Sequence, residues 1–110
     1  MRRRKDPVAQ RARRALAEAP DVLEAAARSL SGAPRSRAAL TERLIVAGYP
    51  EDLVHSAISR LVELGLIDDE RLAQALIDSR DRSRQRGDRA IMQELRRRGI
   101  PDEITTRLME

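Results

Sequence analysis

The sequence predicts an all-α protein made of tandem three-helix repeats, a stack of small helical units preceded by a basic N-terminal arm and a short helix. Three observations carry this expectation. Apolar residues recur at spacings of three and four along most of the 110-residue chain. Aromatic residues are almost absent, with one Tyr and no Phe or Trp, so the 41% hydrophobic content comes mainly from Ala, Leu, Ile and Val. That supply suits close helix packing better than a sheet or a base-stacking surface. Finally, Leu40-x-x-x-Leu44-x-x-x-Gly48-x-Pro50 returns 51 residues later as Ile91-x-x-x-Leu95-x-x-x-Gly99-x-Pro101.

Taken in order, MRRRKDP is a polar arm with too little apolar surface to pack. Val8 to Ala19 holds good helix formers with a thin apolar stripe of Ala12, Ala15 and Leu16, and Pro20 is expected to break it. Asp21 with Glu24 resembles a capping box for the next helix, whose apolar face is Val22, Leu23, Ala26, Ala27 and Leu30 and which SGAP ends. Leu40, Leu44 and Ala47 mark a third helix, for which Gly48 supplies the left-handed C-terminal cap. Pro50 suits the first turn of the fourth, where a missing N–H costs nothing, and Glu51 and Asp52 complement the positive end of its dipole. Leu53, Val54, Ala57, Ile58, Leu61 and Val62 form its buried face.

After Gly65 the grammar restarts. Asp68, Asp69 and Glu70 precede Leu72 as the acidic cluster of a helix start, a far better match to N-capping than to a cation site, which needs further oxygen ligands at fixed spacing. Leu72, Ala73, Leu76 and Ile77 line a helix from about Asp69 to Gln85. The last helix is expected to begin at Pro101 and to have reached Leu108 near the end of the sequence. The boundaries that follow are residues 1–20 for the arm and short helix, 21–66 for the first unit and 67–110 for the second.

Charge is distributed unevenly. Residues 1–14 hold seven cations against Asp6, a net +6, while residues 79–98 hold eight arginines against three acids, a net +5. The whole chain is only +4, so these two basic stretches stand on an acidic background. Lys5 is the one lysine, and Arg is the better bidentate partner for phosphate or carboxylate. Arg80, Arg82, Arg84 and Arg86 spread over two faces of their helix, which fits either a solvated surface laced with Asp78 and Asp81 or a ligand contact. Arg96, Arg97 and Arg98 precede Gly99, where a helix C-terminus favours one cation but scarcely needs three. Together with Arg89 they are the best candidate anchors; Arg2, Arg3, Arg4 and Lys5 are candidates for nonspecific contact with DNA.

Several functions find no support. There is no cysteine for a disulfide or thiolate site, no Gly-rich phosphate loop and no acid–base pair, so neither a catalytic residue nor a metal or cofactor is expected. His55 lies beside an apolar stripe with no second ligand and reads as a boundary residue. Tyr49 reads as a staple between two helices. No apolar run reaches the ~20 residues of a membrane span, and a cytoplasmic monomer is expected.

SRAAL, the turn from Gly48 to Asp52, GLIDDERLA from Gly65 to Ala73 and QELRRRGIPDE from Gln93 to Glu103 occur in an order and spacing that resembles the RecX family of recombinase regulators. The resemblance covers about Asp21 to Glu110 and implies an elongated stack of three-helix units that binds the RecA filament on single- or double-stranded DNA and limits its growth. It departs from the family at Ala39, where Glu is frequent, and at Leu72, where Phe is common. A third unit is also usual in the family, so an incomplete filament-spanning surface is expected. The residues alone leave a small helical nucleic-acid-binding module as the alternative, with a structural helical adaptor as a third possibility.

Overall fold

The computed structural model describes residues 6–83 and 87–110, and the side chains of residues 80–83 are not among those described. Seven helices and no strand occur among the described residues: α1 (Pro7–Ala15), α2 (Ala19–Gly32), α3 (Arg37–Ala47), α4 (Glu51–Glu63), α5 (Asp69–Ser83), α6 (Asp88–Arg97) and α7 (Asp102–Leu108). They form two packed groups. In the first, α2 and α3 both pack on α4; in the second, α5, α6 and α7 pack on one another. The molecule is a slab of 46 × 36 × 18 Å.

Helical periodicity determines what is buried. Val22, Ala25 and Ala26 of α2, Leu40 and Leu44 of α3, and Val54, Ala57, Ile58 and Leu61 of α4 make the first core together with Ile67. Ala73, Ile77, Ile91, Leu95 and Ile100 make the second, with Leu72, Leu76, Ile104 and Leu108 packed against it. Two face assignments change: on α1 the stripe of Ala12, Ala15 and Leu16 is exposed, and on α2 it is Ala25 that is buried, whereas Ala27 is exposed. The inward stripe of α2 is therefore rotated by part of a turn from the one the sequence suggested, and α1 buries none of its side chains.

The break between the first two helices also moves. Pro20 does not stop a helix; it lies in the first turn of α2, where the absent N–H has no intrahelical partner to lose. The first helix ends at Ala15, and the Asp21 carboxylate reaches back to accept from the Glu18 N–H at 3.0 Å. Asp21 thus acts as the third residue of the helix and not as its cap, and Glu24 pairs with Arg28 instead. Pro50 and Pro101 each stand one residue before their helices, as N-caps with extended backbones. Helix α5 is described to Ser83, and the expected extension to Gln85 falls outside the described residues.

The repeated turns are built alike and receive different neighbours. Gly48 and Gly99 end α3 and α6 at φ +108° and +81°, a region L side chains rarely enter. A Cβ on Gly48 would lie 2.8 Å from Arg11 Cγ of α1, and one on Gly99 would lie 2.7 Å from Ser36 Oγ. In the first unit, the turn is closed by α1: the Arg11 guanidinium donates to the Val46 carbonyl, Arg14 donates to the Ala47 carbonyl at 3.2 Å, and Arg14 lies 5.8 Å from the centre of the Tyr49 ring. In the second unit, the turn is closed by the first unit. Ser36, 1% exposed, accepts from the Ala39 N–H at 3.1 Å as the α3 cap and donates its hydroxyl to the Arg98 carbonyl.

A second polar bond ties the units together. Asp68 caps its own helix, accepting from the Arg71 N–H at 3.0 Å, but Asp69 points across the junction and accepts from the Arg37 N–H at 2.8 Å. One acid of the cluster therefore caps α5 and its neighbour helps to cap α3.

Candidate functional site

Helix α6 presents the described part of the basic surface. Ile91 and Leu95, one turn apart, are buried against α5 and α7, which leaves Arg89, Arg96 and Arg97 exposed, with Arg98 following as the exposed C-cap. Arg89 and Arg97 are eight residues apart, so their Cα atoms are separated by about 12 Å along the axis. Neither forms an ion pair with a described residue.

The three consecutive arginines have three different surroundings. Arg96 is held by Asp102 in a two-point pair, Nε to Oδ1 and Nη2 to Oδ2, both at 2.9 Å. That hydrogen bond, followed by the charge attraction, raises the Arg96 pKa above its ordinary value. The Asp102 carboxyl is correspondingly lowered, chiefly by the hydrogen bond from Arg96, which outweighs an opposing desolvation, with the Arg96 charge adding a lesser lowering. Arg96 therefore braces the turn between α6 and α7. Arg98 lies 4.0 Å from Glu94, and Arg97 is the unbraced member.

Arg97 and Arg98 line a groove of about 420 Å³ at the junction of the units, together with Pro34, Arg35, Ser36 and Leu72. Arg35 is a contributor that the sequence reading missed. Its Nε donates to the Ser29 carbonyl at 3.4 Å, and it meets Arg97 and Arg98 because Ser36 is bonded to the Arg98 carbonyl 62 residues away. The neighbouring Ser36 cap was the only local hint. Leu72, at the position noted as a departure, is half-buried in this groove.

Arg80 and Arg82 lie on α5, with side chains outside the description; Arg84 and Arg86, and Arg2, Arg3, Arg4 and Lys5, lie outside the described residues. His55 is exposed, with Nε2 3.7 Å from Glu51. Among the described residues, no group of three or more His, Cys, Asp or Glu side chains is placed to hold a metal ion. No described helix is long and apolar enough to cross a membrane.

Comparison with known proteins places this architecture. The RecX first three-helix domain matches residues 23–61 and the RecX second three-helix domain matches residues 68–108. The chain is 43% identical over 77 residues to a regulatory protein RecX of Mycobacterium sp. strain JLS, an alignment covering 70% of this chain and 42% of that protein. With the regulatory protein RecX of Thermobifida fusca it shares 40% identity over 94 residues, 81% of this chain and 50% of the relative. The crystal structure of RecX from Lactobacillus salivarius is similar with a TM-score of 0.75 and 26% identity, covering 80% of this chain and 57% of that one. The chain thus spans about half the length or less of the curated relatives it matches. On these matches, which cover both helical units in order, the chain belongs to the RecX family of regulatory proteins.

Proposed function

We propose that this chain binds the RecA recombinase filament on DNA and limits its extension and activity, thereby modulating recombination and DNA repair without catalysing a reaction of its own. The observation that carries the reading is the pairing of two RecX three-helix domains with an exposed arginine surface on the second. Arg89, Arg97 and Arg98 are its anchors, extended by Arg35 at the junction, with Arg80, Arg82, Arg84 and Arg86 as further contacts. An elongated slab can lie along a filament and reach more than one protomer, so its two units gain from linked binding. The test is filament extension of purified RecA on single-stranded DNA, followed with and without the chain. Extension should slow in proportion to added protein, and an unchanged rate at saturating protein contradicts the reading.

A second reading, a helical module that grips nucleic acid directly, is favoured by the net +6 of residues 1–14. It predicts that replacing Arg2, Arg3, Arg4 and Lys5 weakens binding to bare DNA equally for all base sequences, with the salt dependence falling by about one per lost phosphate contact. Under the recombinase reading the same change leaves affinity for the loaded filament largely intact.

A further inference from the structure

The first unit carries a basic recess distinct from the α6 surface. It lies where α1, α2 and the C-terminal half of α3 meet, has a volume of about 420 Å³, and is rimmed by Arg14, Arg28 and Arg43 from those three helices in turn. No acidic residue lines it. Arg43 is exposed and pairs with no described residue, while Arg28 is held only by a solvent-exposed contact with Glu24 at 3.5 Å. The floor is apolar. Val46 is 63% exposed there, beside the half-buried Tyr49 ring. Within the same recess Ser29 Oγ is buried without a hydrogen-bond partner among the described residues.

The repeat gives a second crevice in this position, walled by a chain segment from outside its unit. Displaced by 51 residues, Arg43, Val46 and Ala47 become Glu94, Arg97 and Arg98, which line the corresponding groove of the second unit. There, the segment from Pro34 to Ala39 forms one wall of the groove, with Ser36 bonded to the Arg98 carbonyl. In the first unit α1 supplies the corresponding wall, and more sparsely. It buries no residue of its own and is attached through Arg11 and Arg14. One charge differs: the position that is Glu94 in the second unit is Arg43 in the first, so this recess has three arginines and no lining acid.

We propose that this recess is a docking site for an acidic protein segment that also carries apolar side chains. Carboxylates of the segment meet Arg28 and Arg43 at the rim, and an apolar side chain covers Val46. Charge complementarity selects an acidic partner, and the exposed apolar floor selects a peptide over a phosphodiester backbone, which has no apolar group to place there. This site stands independently of the recombinase reading, because none of its residues belongs to the α6 surface.

The probe is a fluorescein-labelled 12-residue peptide of alternating Asp and Leu, titrated by anisotropy with the full chain. A single-stranded oligonucleotide of equal charge serves as the comparison. Arg43→Gln should weaken peptide binding about tenfold, as loss of a charge-assisted contact does, and Val46→Ser about threefold through lost apolar burial. Arg60→Gln, on the exposed face of α4 and outside the recess, should leave it unchanged. Circular dichroism checks that each variant stays helical. The proposal is overturned if the peptide does not bind or if Arg60→Gln weakens it as much as Arg43→Gln. It is equally overturned if the oligonucleotide binds more tightly and loses affinity with Arg43→Gln but not with Val46→Ser, since the recess is then a phosphate site.

Discussion

The two units share a plan and differ in self-sufficiency. Among the described residues the first core holds ten buried apolar side chains, Ile67 of the junction among them, and closes with the thirteen-residue α4, whereas the second holds five and closes with the seven-residue α7. Val54 in α4 is fully buried, and its counterpart 51 residues on is Thr105, also buried but with a hydroxyl that has no partner among the described residues. The second unit therefore takes part of its order from the first, through the Ser36 hydroxyl on the Arg98 carbonyl and Asp69 on the Arg37 N–H. Stability in stacked repeats divides into a term for each unit and a term for each interface, and here the interface term weighs on the unit that carries the α6 arginines. The candidate surface is positioned by the junction as much as by its own core.

Five substitutions sharpen or break that comparison. Gly99→Ala should have the largest effect, costing about 3 kcal/mol, because it combines a left-handed backbone with overlap onto the immobile Ser36 hydroxyl. Gly48→Ala meets Arg11 Cγ and the Arg11 carbonyl oxygen, but α1 buries no residue and can shift away, so it should cost about 2 kcal/mol. Urea titration measures both, and an equal or reversed order would show that the junction contributes no more than the α1 contact. Ser36→Ala removes an N-cap and a bond between the units together. A loss of about 2 kcal/mol is expected, with hydrogen exchange rising in α6 and α7 as well as in α3. Exchange confined to α3 would mean the second unit stands without the first.

Thr105→Val should move the second unit towards the first, raising stability by about 1 kcal/mol as a buried unpaired hydroxyl is replaced by a methyl group. A lower melting temperature for this variant would show that the hydroxyl is satisfied after all. The smallest effect belongs to the exposed Arg96–Asp102 pair. Because the folded state lowers the Asp102 pKa, the pair contributes fully above the ordinary carboxylate range. That contribution is lost as pH falls below about 4 and through the lowered folded value, while Arg96 stays charged throughout. Protection of α7 amides should therefore decline on acidification in the parent, and Asp102→Asn should abolish that component.

Legibility in the sequence followed the range of the interaction. Helix identity, the core faces of α3, α4 and α6, and the glycine caps at Gly48 and Gly99 were readable because each depends on residues within one or two turns. The boundary between α1 and α2 was misread because a proline is as compatible with a first turn as with a stop, and only the Asp21 to Glu18 bond decides between them. Asp69 looked like a local cap because Asp68 beside it is one, yet its partner is 32 residues away. In the candidate site, the arginines on α6 were visible as charge, but the bracing of Arg96 by Asp102 and the arrival of Arg35 beside Arg97 were not. Both depend on where the turn and the junction place side chains, which no single-helix pattern encodes.

The most direct test of the α6 surface as a recombinase-binding site is ATP turnover by RecA on single-stranded DNA. It is followed with the parent chain and with the combined Arg89→Gln, Arg97→Gln and Arg98→Gln variant, leaving the structural Arg96 in place. The parent should depress turnover. The variant, still helical by circular dichroism because Gln sustains a helix, should need roughly tenfold to a hundredfold more protein for the same effect, at about 1 kcal/mol or less for each exposed charge. Equal depression by both proteins, or none by the parent, contradicts the account.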